Sequence, residues 1–235
     1  MHIHAIIHAS FEKLGVIEDW AHQHGHILTV THTYKGEKLP DIASFDFLIV
    51  MGGPQSETEL DKYSYLQDEV IFTKKAIDKN KAVLGICLGA QIIGESLGAK
   101  TERSPNKEVG VYPIKLTEEG RADSIFKLFP ENFDVVHWHN DMPGIPEGGV
   151  LLAYSEGCPR QVFKFGDRVY GLQCHMEMTS ELVETMVSHC SEDLHPGKYV
   201  QEGRVLVNRN MTEINHKMTM ILDHLAALIR EKSLA

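Results

Sequence analysis

Apolar residues in the first hundred positions fall into short unbroken runs, each followed by a stretch where they recur every three or four positions. Residues 3–8 (IHAIIH), 27–33 (ILTVTHT), 45–53 (FDFLIVMGG) and 82–87 (AVLGIC) read as strands. Between them, 11–24 carries Phe11, Leu14, Ile17 and Ala21 on one helical face, and 64–79 carries Leu66, Val70, Ile71 and Ala76. The last strand runs directly into 88–98 (LGAQIIGESLG), read as a helix. A strand with no polar alternation is buried on both faces, and a helix after each such strand predicts a parallel sheet covered on both sides. The expected fold is therefore α/β, a three-layer, doubly wound (flavodoxin-like), mostly parallel sheet.

The pattern changes after residue 100. Stretches 109–116, 134–138, 150–154, 160–165 and 168–174 are short strands divided by Gly/Pro turns, which predicts an antiparallel extension leading back to the sheet. A helix is expected over 180–190, a loop over 191–207 and a final helix near 211–231, where Met211, Ile214, Met218, Ile221, Leu225 and Leu228 form an apolar stripe for docking. No repeat, low-complexity tract or linker divides the chain, so residues 1–235 are expected to form one domain.

Charge narrows the possible partners. Lys and Arg total 23 against 33 Asp and Glu, a formal charge of −10, with no cationic run for tracking phosphates; nucleic acid is not expected as a partner. No run approaches the roughly 20 apolar residues of a membrane span, and no secretory signal opens the chain. Cys87, Cys158, Cys174 and Cys190 form no CxxC pair, which suits free thiols and a cytoplasmic location. The fourteen histidines show no HExxH or zinc-finger spacing; His2, His4 and His8, and His22, His24 and His26, read as solvated or edge residues, and no metal site is expected. His137 and His139, flanking Trp138, read as a packed strand end or a pocket rim.

Candidate chemistry sits at three places. Gly85-Ile86-Cys87-Leu88-Gly89 lies where a buried strand becomes a helix, the cysteine form of the G-x-S-x-G nucleophile elbow. Such a turn strains the nucleophile's backbone and needs glycines where strand and helix pass closely. It also aims a helix N-terminus at the sulfur and the Leu88 N–H at a nascent oxyanion. Near the other end, an apolar strand closes on His175-Met176-Glu177; residues two apart on extended chain share a side, so the carboxylate can fix the imidazole. Gly52 and Gly53 follow a parallel strand at the edge where open α/β sheets bind ligands, and Gly53 could supply a second oxyanion N–H.

Gly52-Gly53-Pro54-Gln55-Ser56, Gly85-Ile86-Cys87-Leu88-Gly89-Ala90-Gln91 and Gly171-Leu172-Gln173-Cys174-His175-Met176-Glu177, in that order, resemble the class I (triad-type) glutamine amidotransferases, above all the glutaminase domain of GMP synthetase. The resemblance runs from about residue 45 to 180 and takes in His139-Asn140-Asp141 and Cys158-Pro159-Arg160-Gln161. It implies Cys87 as nucleophile forming a γ-glutamyl thioester, His175 as general base then acid, and Glu177 as its orienter. It further implies oxyanion N–H groups from Gly53 and Leu88, a glutamyl contact from Gln91, and an aspartate at the substrate amino group in Asp141. No cofactor is implied for this half-reaction.

Two departures stand out. The family's usual Phe-His-Pro-Glu is here Cys174-His175-Met176-Glu177, and no synthase domain follows in these residues. Three functions remain open: a glutaminase passing ammonia to a separate synthase subunit or other acceptor, a stand-alone γ-glutamyl peptidase, and a binding module with an idle triad. Cysteine-elbow relatives of the DJ-1/PfpI type place His directly after the nucleophile, where this chain has Leu88, so the base must come from afar.

Overall fold

A computed structural model describes residues 1–56 and 62–234. In chain order the strands are β1 (His2–Ile7), β2 (Ile27–His32), β3 (Phe47–Val50), β4 (Ala82–Ile86), β5 (Glu102–Leu116), β6 (Asn132–Met142), β7 (Gly149–Tyr154), β8 (Val162–Phe165), β9 (Val169–Leu172) and β10 (Tyr199–Val200). The helices are α1 (Val16–Gln23), α2 (Ser64–Asp78), α3 (Leu88–Ser96), α4 (Glu118–Ala122), α5 (Ser180–His189), α6 (Gly203–Val207) and α7 (Thr212–Leu234).

The strands join in one sheet ordered β10-β5-β7-β8-β9-β4-β3-β1-β2, with β6 paired to β5. From β9 to β2 every pairing is parallel. From β9 back through β8 and β7 to β5 and β6 the pairings are antiparallel. The unbroken apolar runs are explained by two cores. Ile3, Ala5, Phe47, Ile49, Leu84 and Ile86 face one layer, where Trp20 of α1 and Met218, Leu222 and Leu225 of α7 pack. Ile6, Leu48, Val50 and Val83 face the other, with Leu66 and Phe72 of α2 and Ile92 of α3. Trp20 also donates its indole N–H to Asp223 of α7 at 2.8 Å, tying the last helix to the first.

This order sets the stage for a site. Adjacent strands β9, β4, β3 and β1 all run the same way, so the loops after them emerge side by side at the carboxyl edge of the sheet. No described helix is long and apolar enough to cross a membrane.

Several local expectations change. The first helix starts at Val16 rather than near residue 11, because Gly15 takes φ 56° and the Val16 N–H bonds the Glu177 carbonyl at 3.0 Å. A Cβ on Gly15 would stand 2.1 Å from that carbonyl oxygen, so residues 8–15 pass over the carboxyl edge as a loop. The 191–207 stretch is not merely a loop: it holds β10, which pairs with β5, and the short helix α6. Finally, His4 and His8 are buried rather than solvated; His4 sits between the hydroxyls of Thr29 and Thr31, and His8 lies beneath the β3 loop.

Candidate active site

Cys87 occupies the turn between β4 and α3 with φ 52° and ψ −109°, a conformation that L residues avoid and that persists only where the surroundings impose it. The imposition comes from both sides. A Cβ on Gly85 would stand 2.3 Å from the Gly89 carbonyl oxygen, and one on Gly89 would stand 1.9 Å from that of Val50. Strand, elbow and helix therefore pass each other at backbone contact. Cys87 is 8 % exposed; its thiol donates towards the Trp138 carbonyl at 3.7 Å and accepts from Gln173 Nε2 at 3.4 Å.

The segment after β9 meets this elbow. Past the end of β9 the segment bends so that Gln173 meets Cys87 and His175 meets Glu177, while Cys174 and Met176 are sealed in the core. Burial there pushes the Cys174 thiol well above its ordinary value. His175 Nδ1 lies 2.7 Å from Glu177 Oε1. The second carboxylate oxygen, Oε2, accepts the Met176 N–H at 3.0 Å. The segment is pinned from behind by Asn215 of α7, whose amide donates to the carbonyls of Met176 and Met178. His175 Nε2 is buried and has no hydrogen-bond partner of ordinary geometry. Burial disfavours a charged imidazole, but the Glu177 carboxylate and the nearby Cys87 outweigh it and hold His175 well above its usual value. An imidazole that favours its charged form beside Cys87 suits a cysteine nucleophile, whose reactive form is the thiolate.

Gly52 and Gly53 close the third side. A Cβ on Gly52 would lie 3.4 Å from both Cys87 Cβ and His175 Cε1, and one on Gly53 would lie 2.9 Å from Leu88 Cδ2. The N–H groups of Gly53 and Leu88 donate to no other described residue. Two unspent donors beside the thiol are what an oxyanion requires.

Cys87, His175, Gly53 and Leu88 line a single cleft, to which Gln91 and Asp141 also contribute, with Glu177 behind His175. Gln91 donates to Gln173 Oε1 at 3.0 Å, and its own carbonyl oxygen is buried without a partner. Asp141 is already engaged, accepting from Arg103 at 2.9 Å and from the Ser56 hydroxyl at 2.7 Å. The structure thus gathers all seven residues singled out from the sequence.

Other wall residues carried no motif. Lys107 pairs with Asp193 at 2.6 Å, and Asp193 also accepts the Trp138 indole N–H at 2.9 Å, so the segment after α5 forms one wall. Glu12, from the loop after β1, reaches into the cleft and bonds to no other described residue. Burial raises its carboxyl to about 7, against the opposing pull of His175 and His8. Glu12 stands inside a stretch whose apolar spacing reads as helix, so the pattern hid it.

Among the described residues one group has the composition of a metal site: Glu108, His137 and His139. Glu108 lies 3.1 Å from His139 Nε2 and 3.5 Å from His137 Nδ1. Both its oxygens also accept from Ser155, and Oε2 from Gln161. Burial opposes ionisation of Glu108, but His137 and His139 prevail and hold its carboxyl well below the usual range. The cluster closes as a buried hydrogen-bonded network under the cleft, where burial lowers the His139 imidazole, and His139 forms part of the cleft wall. A packed strand end and a pocket rim are thus both true of this histidine.

Comparison with known proteins agrees with this geometry. The family model for glutamine amidotransferase class-I matches residues 15–189. The glutamine amidotransferase-like protein YfeJ of Salmonella typhimurium is 40 % identical over 239 residues, covering 99 % of this chain and 100 % of the relative. A glutamine-hydrolyzing GMP synthase subunit from Picrophilus torridus is 30 % identical over 59 % of this chain and 71 % of its own length. The crystal structure of a glutamine amidotransferase from Thermotoga maritima superposes with a TM-score of 0.86 at 26 % identity, covering 95 % of this chain and 97 % of that one. With the elbow, the paired glycines and the His-x-Glu segment meeting at one sheet edge, the chain belongs to the class-I glutamine amidotransferase family.

Proposed function

We propose that the protein is a cysteine amidohydrolase that opens a γ-glutamyl amide through a thioester on Cys87. The reading is carried by the His175–Glu177 bond of 2.7 Å, which leaves His175 Nε2 unpartnered beside the elbow cysteine.

The thiolate of Cys87 attacks the γ-carbonyl carbon, forming the S–C bond and moving the carbonyl electron pair onto oxygen. The N–H groups of Gly53 and Leu88 hold that oxyanion. His175 passes its proton to the amide nitrogen as the C–N bond breaks, and ammonia or an amine departs. The neutral imidazole then takes a proton from water; hydroxide adds to the thioester, the S–C bond breaks, and glutamate leaves with the thiolate restored. Glu177 keeps the ring in one tautomer and supports its charge throughout. Gln91, with its unused buried carbonyl, and Asp141 bind the glutamyl end.

Two destinations for the leaving group fit this chemistry. The GMP synthase relative from Picrophilus torridus, itself one part of a divided enzyme, supports transfer of ammonia to a synthase partner. A cleft wall extending out to Cys190 and Glu192 supports a leaving group larger than ammonia, as a γ-glutamyl peptidase needs. The test is ammonia release from glutamine and hydrolysis of γ-glutamyl dipeptides by the isolated protein. Turnover of either that vanishes in Cys87→Ala is expected. Undiminished turnover in that variant, or none in the wild type with either substrate, contradicts the proposal.

A further inference from the structure

We propose that His8 and Glu69 are a positioning pair that turns the Gly53 N–H into the cleft, setting oxyanion binding without touching substrate. The inference rests on the reading of the cleft as an amidohydrolase site.

His8 follows β1 and lies under the β3 loop, and Glu69 reaches it from α2. His8 Nδ1 is 2.9 Å from the Gly52 carbonyl oxygen, and Nε2 is 2.7 Å from Glu69 Oε2. Neither side chain has any exposed area. The catalytic steps use His175 and Glu177 and leave His8 and Glu69 without a role.

The peptide between Gly52 and Gly53 makes the link. In a trans peptide the carbonyl of one residue and the N–H of the next point in opposite directions. Fixing the Gly52 oxygen on His8 therefore fixes the direction of the Gly53 N–H, in a loop that also borders Cys87 and Leu88. Gly52 and Gly53 lack side chains that would resist a peptide flip, so this loop needs an external restraint. Space permits little else: a Cβ on Gly53 would stand 2.6 Å from His8 Cβ. The loop is held a second time by Gln55, whose amide donates to the His8 carbonyl at 3.0 Å.

Charge adds to orientation. A carbonyl oxygen only accepts, so His8 Nδ1 carries a proton. Nε2 faces a carboxylate, so the pair holds a second proton, and the imidazolium–carboxylate form satisfies both contacts. Burial lowers a histidine, yet Glu69 and the Gly52 carbonyl outweigh it and leave His8 raised. A cationic donor on the Gly52 oxygen draws electron density through the amide and makes the Gly53 N–H a stronger donor to an anion.

The experiment compares His8→Ala, His8→Asn and Glu69→Gln with wild type in two assays. One is kcat and KM for glutamine hydrolysis; the other is alkylation of Cys87 by iodoacetamide, in which the sulfur displaces iodide from carbon and no oxyanion forms. His8→Ala is expected to lower kcat about 10- to 100-fold, less than the roughly 10²–10³-fold of a donor lost outright, because the Gly53 N–H is misaimed rather than removed. Its KM and alkylation rate should stay within about threefold of wild type. Asn places an amide donor near the Nδ1 position, so His8→Asn should recover most of the lost kcat. If His8→Ala does not fold, Glu69→Gln keeps the packing and removes the charge, and an unchanged kcat there overturns the proposal. So does an unchanged kcat in His8→Ala, or alkylation that falls in step with turnover, which marks a general collapse of the site. A wild type that is alkylated normally but hydrolyses nothing overturns the amidohydrolase reading instead.

Discussion

The backbone N–H of Met176 donates to Glu177 Oε2 at 3.0 Å, a bond that the proline usual at this place in the family cannot make. The substitution thus leaves His175 and Glu177 together and gives the carboxylate a second anchor while its other oxygen holds the imidazole. Hydrogen bonds to a charged group contribute about 1.5–3 kcal/mol. With about half of that felt in the transition state, Met176→Pro is expected to lower kcat by roughly three- to tenfold, with Cys87 still alkylated at the wild-type rate. Steady-state kinetics on the variant check this.

The strain at Cys87 predicts an inverted stability order. Gly ordinarily destabilises an element relative to Ala by roughly 0.5–1 kcal/mol. At φ 52° and ψ −109° the order reverses, because Cys87→Ala keeps the Cβ and Cys87→Gly removes it. Both variants should lose turnover, and urea denaturation should find Cys87→Gly more stable than Cys87→Ala by about 1–2 kcal/mol.

Glu12 predicts a pH dependence of stability. Its carboxyl is raised from 4.5 to about 7. The folded state then binds a proton between those values that the unfolded state has released, so stability falls as pH rises through that window. Above pH 7 the ionised Glu12 weakens the fold by an amount on the order of 1–2 kcal/mol, after allowance for its contact with water in the cleft. Glu12→Gln removes the titrating group. The variant should match wild type near pH 4 and exceed it at pH 8; equal stability at both contradicts the placement.

Much of this was legible in the sequence because the parallel half is written in runs that only a doubly covered sheet can bury. The elbow is legible for the same reason: Gly85 and Gly89 mark backbone contacts that no side chain fits. The rest depends on contacts distant in the chain. Glu12 and His8 sit in segments that look helical or edge-like, and only the order of β9, β4, β3 and β1 brings them beside residues 40 to 165 positions away. The antiparallel β5 begins at Glu102 rather than 109: its first half (ERSPNKE) carries no apolar pattern, and Glu102, Arg103 and Glu108 pair with β6 on either side of a register shift. The 191–207 segment lacks an apolar period, yet Asp193 anchors it by binding Lys107 and Trp138.

The most direct measurement is to treat the protein with a glutamine-mimicking electrophile, such as a diazoketone analogue, and map the labelled peptide by mass spectrometry. The account predicts one label, on Cys87, blocked by glutamine and slowed in His175→Ala. A label on Cys158, Cys174 or Cys190 in place of Cys87, or labelling of Cys87 that proceeds equally without His175, would contradict it.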